Sequence, residues 1–257
     1  MNVIRDLADQ NYRDFEIIYA QEKGIVNAMN SALKKAKGDI LVHIDDDVSI
    51  PPNWLTELIK PFKDPLVCGV TGPTFIPIIL RRNRDSIKTV EHPSAFLRWM
   101  FDGRPYAPAK IYKCGSVSYG SNFLDRMEQR EHYDIDHLEG TNWAMRTNLI
   151  KLVGGFDPKF DGVCEWYDDD VLYKVLKAFP SMKIKYNVNA FLWHMVGRSE
   201  HYEERFDGLG RIKNWLRFHW RHSRFHYKKV IWLCIMMSYF MFQLLSRPLG
   251  KVKHSKG

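Results

Sequence analysis

The feature that most constrains the fold is a five-residue apolar run, Ile40–Ile44, that leads directly into three consecutive aspartates. Apolar residues in Gly24–Lys37 recur every three or four positions, which predicts an amphipathic helix, and we expect Gly38 to end it in the C′ position. After the aspartates, Pro51-Pro52 predicts the start of another helix that continues to Ile59. A helix, a buried strand, an acidic loop and a second helix indicate an α/β domain, in which ligands bind at the carboxyl ends of the strands.

The alternation of helical and strand-like runs continues on both sides of this segment and predicts a mixed, mostly parallel, Rossmann-like sheet flanked by helices. The further predicted helices cover Met1–Leu7, Asn148–Val153 (ended by Gly154-Gly155) and Asp169–Phe179, and the further predicted strands cover Phe15–Ala20, Val67–Thr71, Lys183–Tyr186 and Ala190–His194. Between them, Arg81–Arg130 has poor periodicity with scattered glycines, prolines and aromatics. We interpret it as a long, partly structured insertion.

The chain has 257 residues and a formal net charge of +8, and this positive surplus lies mainly from Arg198 onward. A basic balance is typical of proteins that bind nucleic acid, an anionic membrane surface or anionic substrates such as nucleotide diphosphates. The central part is rich in carboxylates instead. We therefore divide the chain into a main domain over residues 1–197 and a basic, aromatic, helical tail over residues 198–257.

The four cysteines, Cys68, Cys114, Cys164 and Cys234, are far apart and form no CxxC pair. A structural zinc site is therefore not expected, and free, mostly buried thiols in a reducing environment are favoured. The N-terminal segment contains acidic residues and lacks the apolar stretch of a signal peptide. Together these features predict a cytoplasmic protein.

Asp45, Asp46 and Asp47 place three like charges at the end of a strand, where they repel one another unless a cation lies among them. Mg²⁺ or Mn²⁺, with oxygen ligands and substrate phosphates, satisfies that requirement. The alternative is a solvated loop in which Asp47 caps the following helix. The triplet by itself leaves both interpretations open.

A second acidic cluster, Glu165–Asp170, stands at the start of the predicted helix Asp169–Phe179. Carboxylates at a helix start interact favourably with the helix macrodipole, which is a purely structural explanation. Alternatively, a carboxylate beside a tryptophan and two acidic neighbours has a raised pKa and serves as a general base. His194, at the end of a predicted strand, is either part of the same site or a buried histidine packed beside Trp193.

Val230–Leu245 is an apolar run without charge, bordered by Lys228-Lys229 and Arg247. It is shorter than the roughly 18 to 20 residues that a spanning helix needs, so a membrane-associated or re-entrant helix is our leading interpretation. A helix buried in the domain or in a dimer and a tilted single span are the alternatives. The preceding basic and aromatic residues suit a lipid headgroup interface and also single-stranded nucleic acid, but their junction with an apolar run favours lipid.

An ordered series of motifs resembles the family 2 glycosyltransferases, which have the GT-A fold. With h for an apolar residue, Lys37–Val48 followed by Pro51–Leu55 is similar to the family's A-K-G-D-x-h-h-h-h-D-D-D and P-x-W-L segments. Gly140–Arg146 and Gly154–Asp157 resemble its G-x-N-x-A-h-R and G-G-F-D blocks. Glu165–Val171 resembles its E-D-x-D-L block.

The resemblance implies an inverting, metal-dependent transfer of a sugar from a nucleotide-diphosphate sugar to a glycan or lipid-linked acceptor. It also implies that Asp168 is the catalytic base, by register on the E-D-x-D block, and that Asp47 and His194 bind Mn²⁺ or Mg²⁺. The implied donor-binding residues are Asp45, Asp46, Lys23, Gly24 and Asn30, and the implied acceptor-binding residues are Asn142, Arg146, Trp166 and Asp169.

Two parts of the family pattern have no counterpart in this sequence: a first strand ending in P-T-x-N, and D-D-G-S after the second strand. We therefore expect an incomplete nucleotide pocket. The leading hypothesis is a membrane-associated GT-A transferase at the cytosolic face of a membrane, with no nucleic-acid partner. The alternatives are a non-catalytic, transferase-like scaffold that binds sugars or a partner enzyme, and a basic metal-dependent phosphoryl-transfer or nucleic-acid protein.

Overall fold

The computed structural model describes residues 3–80, 94–118, 120–122, 135–160, 165–195 and 208–246. The helices of these residues are α1 (Val3–Ala8), α2 (Ile25–Lys35), α3 (Trp54–Ile59), α4 (Ala95–Met100), α5 (Thr147–Leu152), α6 (Tyr167–Ala178), α7 (Gly208–His222) and α8 (Tyr227–Ser246). Single 3-10 turns cover Lys60–Lys63, Ile78–Leu80, Gly120–Asn122 and Pro158–Phe160. Of the predicted insertion Arg81–Arg130, residues 81–93, 119 and 123–130 lie outside the described part of the chain.

Two small sheets form the centre of the fold. Their strands are β1 (Ile40–Ile44), β2 (Val48–Ser49), β3 (Val67–Thr71), β4 (Thr74–Phe75), β5 (Asn142–Arg146), β6 (Lys183–Tyr186) and β7 (Leu192–His194). The larger sheet has the order β1-β5-β3-β6, in which β5 is antiparallel to both neighbours and β6 is parallel to β3. Three strands therefore point one way and β5 the other, which confirms the predicted mixed, mostly parallel sheet between helices.

The smaller sheet, β2-β7-β4, continues directly from the end of β1. Its strands β2 and β7 are antiparallel, with Val48 opposite His194 and Ser49 opposite Trp193. Because Val48 follows Asp47 in the chain, this register brings the end of β7 to the acidic loop that leaves β1. The pairing of two very short strands thus assembles the candidate site.

The predicted strand over Phe15–Ala20 is wrong, since the segment makes no ladder with a described strand. Ile17 and Tyr19 are 43% and 62% exposed, while Phe15 packs at the edge of an apolar cluster. The segment is held by a side chain instead: the Glu16 carboxylate accepts a hydrogen bond from the Lys37 backbone N–H at 2.7 Å. A β-favouring run becomes a strand only where a neighbour offers backbone donors and acceptors, and this one lacks such a neighbour.

Helix α2 confirms the predicted amphipathic helix, but Gly38 does not end it. The helix ends at Lys35, and the N–H of Ala36 donates to the carbonyl of Ala32 at 2.8 Å. Ala36 then turns to extended backbone, with φ −62° and ψ 125°. Since any residue adopts that conformation, no left-handed glycine is needed at this exit.

The central strand β5 explains how the apolar core is divided. Trp143 and Met145 face the larger cluster, together with residues of α2, α5, α6 and α7, whereas Ala144 faces the cluster around α3. Alternate residues of a strand point to opposite faces of a sheet. A strand covered on both faces reads as a nearly continuous apolar run, which is what the sequence has at β1, β3 and β5.

Helix α7 is part of this core. Trp215 and Phe218 belong to the larger cluster, and the Trp166 ring stacks on Phe218 with centroids 4.5 Å apart. The Gly115 carbonyl accepts a hydrogen bond from Trp215 Nε1 at 2.8 Å. Gly115 has φ +84°, and a Cβ there would stand 2.7 Å from the Trp215 ring, so the contact requires glycine.

One buried carboxylate joins α6 to α7. Asp170 has no exposed surface, and it accepts hydrogen bonds from His222 Nε2 at 2.8 Å and from Arg221 at 3.1 Å, while Lys174 Nζ lies at 2.8 Å. Burial acts to raise the pKa of Asp170, but these bonds and charges outweigh burial and lower the pKa to about 2. The ion pairs therefore stabilise the charged carboxylate inside the fold.

Helix α8 lies partly on the domain and partly at its surface. Its first turn is fixed by Lys228, whose Nζ lies 2.8 Å from Asp102 Oδ1 and also donates to the Trp99 carbonyl. Among the described residues, no helix has the length and apolar character required to cross a membrane. Of the thiols, Cys68 and Cys114 are buried and Cys234 is exposed. Cys164 lies outside the described residues.

Replacing Asp170 with Asn should lower the free energy of unfolding by about 3 kcal/mol, because Lys174 and Arg221 lose the charge that compensates their partial burial. Urea denaturation at neutral pH measures this change. The matched control is Asp39→Asn at an exposed position, which should change the free energy by less than about 0.5 kcal/mol.

The same carboxylate predicts a pH dependence. Its folded pKa of about 2 lies below the ordinary 3.8, so its contribution to stability is present above about pH 4 and disappears as the pH falls to about 2. Asp170→Asn should therefore flatten the loss of stability over this pH range. Equal unfolding free energies for the Asp170 and Asp39 variants would contradict the prediction.

Candidate active site

Three possible metal ligands meet at the carboxyl end of β1. Asp45, Asp47 and His194 each offer a ligand atom, and these atoms lie within 4.8 Å of one another. His194 Nε2 is 3.1 Å from Asp47 Oδ1, and the Asp47 carbonyl accepts a hydrogen bond from the Met195 N–H at 2.8 Å. Two carboxylates and an imidazole, all partly exposed, suit a divalent cation that also binds substrate oxygens.

The electrostatics of His194 agree with this geometry. Burial acts to lower the pKa of His194, but its hydrogen bond with Asp47 and the charges of Asp47 and Asp45 outweigh burial and raise the pKa. A positive charge is therefore stabilised where these three side chains meet. A cation bound at this point would use the same field.

The capping interpretation of the aspartate triplet is not realised. Helix α3 begins at Trp54 with Asn53 in the N-cap position, and the Asp47 side chain contacts His194 instead. Asp46 is exposed between the two candidate ligands and is outside the group that they form.

Asp168 lies in the first turn of α6, two residues after the N-cap residue Trp166, whose φ of +70° is left-handed. The Asp168 side chain is buried, and its Oδ1 accepts a hydrogen bond from the Asp169 N–H at 2.9 Å. The pKa of Asp168 is raised to about 6. Burial is the largest cause and the charge of Asp45 adds to it, while backbone hydrogen bonds and His43 partly oppose them. A carboxylate with a pKa near neutrality at a ligand cavity has the properties of a general base.

His43 and Tyr167, which the sequence analysis did not single out, link Asp168 to the metal-binding group. His43 Nε2 lies 3.5 Å from Asp45 Oδ1 and 3.5 Å from the Tyr167 hydroxyl, one residue before Asp168. The His43 ring also packs on Trp143. A single histidine inside the otherwise apolar run Ile40–Ile44 was the available signal, since a buried imidazole requires polar partners.

Further buried titratable groups surround Asp168. Burial and the adjacent Asp168 charge raise the pKa of Asp169, whose Oδ1 accepts a hydrogen bond from the Leu138 N–H at 3.2 Å. Burial raises the pKa of Glu139 to about 7, and burial lowers the pKa of His137 to about 4. His137 and Glu139 were also missed, because they precede β5 in a segment without periodicity.

Two of the predicted acceptor-binding residues do not reach an open surface of the site. Asn142 is fully buried: its amide nitrogen donates to the Pro73 and Ala190 carbonyls at 3.1 and 2.8 Å, and its oxygen accepts from Trp54 Nε1 at 3.0 Å. Arg146 pairs with Ile40, at the end of β1 opposite to Asp45. The Arg146 guanidinium donates to the carbonyls of Phe62, Asp64 and Val67.

The predicted donor-binding residues of the N-terminal part lie around α2. Gly24 is the N-cap of α2 with φ +92°, and Lys23 before it is exposed. Asn30 donates to the Phe156 carbonyl at 2.8 Å and accepts from the Phe156 N–H at 3.0 Å. Asn30 also lines an open cavity of about 820 Å³ between α2 and the loop after α5. None of the three metal-ligand candidates lines that cavity.

A second cavity, of about 450 Å³, lies beside Asp168. Trp166 and Asp169, both predicted as acceptor-binding residues, line it together with Asp168. Its volume is in the usual range for small-molecule sites. The structure thus brings a buried carboxylate, a ligand-sized cavity and a metal-binding group to one end of the larger sheet.

Comparison with known proteins agrees with this arrangement. The model of the glycosyl transferase family 2 matches residues 2–152, more than half of the chain, and the chain belongs to this family. A comparison with curated proteins gave no match.

A solved structure of low sequence identity shares the fold. The mannosyltransferase PcManGT from Pyrobaculum calidifontis, in complex with GDP-Man and Mn²⁺, aligns at 14% identity over 97% of this chain and 71% of its own, with a TM-score of 0.50. GalNAc-T7 with UDP, GalNAc and Mn²⁺ aligns at 13% identity over 78% of this chain, with a TM-score of 0.49. This chain spans only 35% of the length of GalNAc-T7.

The metal-binding group can be tested directly. Isothermal titration of the purified chain with Mn²⁺ should give binding that Asp47→Asn weakens by at least about tenfold, because a charged ligand is lost. Asp46→Asn is the matched control, and we expect a change of about twofold at most from this exposed charge. The assignment fails if the two substitutions weaken Mn²⁺ binding equally.

Proposed function

We propose that this protein transfers a sugar from a nucleotide-diphosphate sugar to a hydroxyl of a glycan or lipid-linked acceptor, with inversion at the anomeric carbon. The observation that carries the proposal is the pairing of two unlike carboxylate groups at one end of the larger sheet. Asp45 and Asp47 are partly exposed beside His194, whereas Asp168 is buried at a ligand-sized cavity. Membership of the glycosyl transferase family 2 supports the same reaction class.

In this proposal Asp47 and His194 bind Mn²⁺ or Mg²⁺, and Asp45 and Asp46 contact the donor. Such a cation would neutralise the diphosphate of the leaving group and so favour its departure. The donor set fits both ions, since carboxylate oxygens suit Mg²⁺ and an added imidazole suits Mn²⁺. Lys23, Gly24 and Asn30 form the more distant, nucleotide side of this donor site.

Asp168 acts in this proposal as the base that removes the proton from the acceptor hydroxyl. A single displacement requires the nucleophile on the face of the sugar opposite to the leaving group, so base and diphosphate must be on different sides of the donor sugar. A pKa near 6 leaves Asp168 ionised at neutral pH but still basic enough to accept a proton. Trp166 and Asp169 line the acceptor side. The buried Asn142 and the partly buried Arg146 hold β5 in place through their hydrogen bonds to neighbouring carbonyls.

We further propose that the reaction takes place on the cytosolic face of a membrane, to which the protein is bound peripherally. Helix α8 exposes large apolar side chains, among them Phe242 at 67% and Leu245 at 81%. Exposed aromatic rings adjoin its start, where Trp99 contacts both Phe96 and Tyr227. Apolar and aromatic surface combined with a net charge of +8 suits an anionic lipid interface.

Replacing Asp168 with Asn should lower kcat for transfer by about 10³-fold with donor affinity nearly unchanged, because the base acts only in the transition state. Release of nucleoside diphosphate from a panel of UDP- and GDP-sugars, with Mn²⁺ and with glycan or lipid-linked acceptors, measures this. Asp39→Asn, at the far end of β1, is the control with full activity.

The pH profile gives an independent readout of the same base. Because Asp168 must be deprotonated, kcat/KM should rise with pH and level off above about pH 6. A metal ion bound beside Asp45 would offset the Asp45 charge, which raises the pKa of Asp168. The rising part of the pH profile should therefore be centred at or below about pH 6. Turnover unaffected by Asp168→Asn would refute the mechanism. A chain that bound no nucleoside diphosphate would instead favour the non-catalytic scaffold.

Membrane binding is tested by flotation with phosphatidylcholine vesicles that contain or lack phosphatidylglycerol. The chain should float with the anionic vesicles, and Phe242→Glu should reduce the bound fraction several-fold, since it puts a charge in the lipid-facing surface. Leu152→Glu is the matched control, because Leu152 is 69% exposed on α5. Equal losses for the two variants would argue against α8 as the contact.

A further inference from the structure

The cavity beside Asp168 has two chemically different walls. One wall is polar and comes from the loops before β5 and α6; it contains His137, Glu139 and Asp169. The other wall comes from α8, where Trp232, Met236 and Phe240 recur every four residues on one helical face. A ligand that fills this cavity therefore contacts polar groups at one end and apolar groups along one side.

The polar wall contains hydrogen-bonding atoms that need a ligand. The His137 Nδ1 lies 2.9 Å from the Leu138 carbonyl, which can only accept, so Nδ1 carries the hydrogen and Nε2 is an acceptor. Neither His137 Nε2 nor Glu139 Oε1 has a hydrogen-bond partner among the described residues, and the two atoms are 3.9 Å apart. Both residues are more than nine-tenths buried. Buried polar atoms without partners are costly, and a bound hydroxyl would satisfy them.

The charges on this wall determine which head group it accepts. Glu139, Asp168 and Asp169 crowd together: the charge of Asp168 raises the pKa of both Glu139 and Asp169, and the charge of Glu139 also raises the pKa of Asp169. Arg211, a cation that lines the cavity, lies 3.2 Å from the Glu165 carboxylate, which offsets its charge. His137 adds no positive charge at neutral pH, because burial lowers its pKa to about 4. A phosphate or carboxylate in this cavity would be repelled, whereas neutral hydroxyl groups find both acceptors and a protonatable donor.

The apolar wall continues to the surface of the molecule. Trp232, Met236 and Phe240 are half-buried along the cavity side of α8, and Met237, Met241 and Phe242 on its other side are exposed. An apolar chain lying along α8 would leave the cavity at an apolar surface rather than in water. Such a path suits an acceptor whose head group is anchored by a hydrocarbon tail.

We propose that the cavity beside Asp168 binds an uncharged, hydroxyl-bearing acceptor head group that is joined to an apolar chain. His137 Nε2 and Glu139 hydrogen-bond the head group, and Trp232, Met236 and Phe240 contact the chain. This assignment rests on the proposed transfer reaction, because it takes the cavity at Asp168 to be the acceptor side. It excludes phosphorylated acceptors and free sugars as the preferred substrates.

The test uses the full chain and three probes of known chemistry: octyl β-glucoside, octyl phosphate and free glucose. Both octyl compounds are kept below their critical micelle concentrations. Trp166, Trp215 and Trp232 line the cavity, so tryptophan fluorescence reports binding without a donor sugar. Octyl β-glucoside should bind at least about tenfold more tightly than either other probe. Glucose lacks the apolar contact of the octyl chain, and octyl phosphate is repelled by the carboxylates of the polar wall. Tighter binding of octyl phosphate, or equal binding of glucose, would overturn the assignment.

A matched pair of substitutions on α8 locates the bound chain. Phe240→Ala removes a ring from the cavity wall and should weaken octyl β-glucoside binding about tenfold, whereas Phe242→Ala removes the same ring from the exposed side and should change it by about twofold at most. His137→Phe should weaken octyl β-glucoside but not octyl phosphate. Circular dichroism confirms that each variant is folded. Equal effects at 240 and 242 would mean adsorption to the outer face of α8 and would overturn the proposal.

Binding and transfer separate this inference from the proposed function. A chain that binds the three probes in the expected order but transfers no sugar would defeat the proposed reaction and leave the cavity assignment standing. A chain that transfers sugar equally well to phosphorylated and neutral acceptors would defeat the assignment and leave the reaction standing.

Discussion

The arrangement of the site depends on the buried carboxylate of Asp170. Its contacts with Arg221 and His222 connect α6, which carries Asp168, to α7, which is distant in the sequence. Lys174, one turn further along α6, adds an ion pair within α6. Helix α7 in turn leads into α8, the apolar wall of the cavity beside Asp168. A charge without exposed surface is tolerated only when it is fully compensated, so this contact has little freedom to shift. The first turn of α6 and the start of the tail are consequently fixed relative to each other.

The adjacent residues Asp168, Asp169 and Asp170 have the same side chain but different pKa values and contacts, because their partners differ. Asp168 is buried next to the cavity and has no paired cation among the described residues, so burial raises its pKa to about 6. Asp170, two residues on, is equally buried but surrounded by cationic groups, and its pKa falls to about 2. Asp169 between them hydrogen-bonds a backbone N–H of the cavity loop. The sequence motif alone treats the three residues as one acidic cluster, and only their neighbours distinguish them.

The parts that sequence predicts well are those governed by local patterns. The strands at Ile40–Ile44 and Val67–Thr71 are reproduced residue for residue, since buried strands are continuous apolar runs. Phe15–Ala20 has the same pattern, but whether it forms a strand depends on a neighbour that lies elsewhere in the chain. The same limitation applies at the site. Asp45 and His194 occupy motif positions and could be named from the sequence. His137 and Glu139 lie in irregular backbone before β5, which no periodic pattern predicts.

The two-sided character of α8 has a consequence for how this protein varies and how it is made. Helix α8 follows every other described element in the chain, so the apolar wall of the cavity is synthesised after the metal-binding group and Asp168. If the cavity receives the acceptor as proposed, substitutions on the inner face of α8 would alter the acceptor preference while leaving Asp45, Asp47 and Asp168 untouched. Under the proposed function, the apolar wall of the acceptor cavity and the metal-binding group are thus encoded in separate stretches of sequence, and they are free to evolve at different rates.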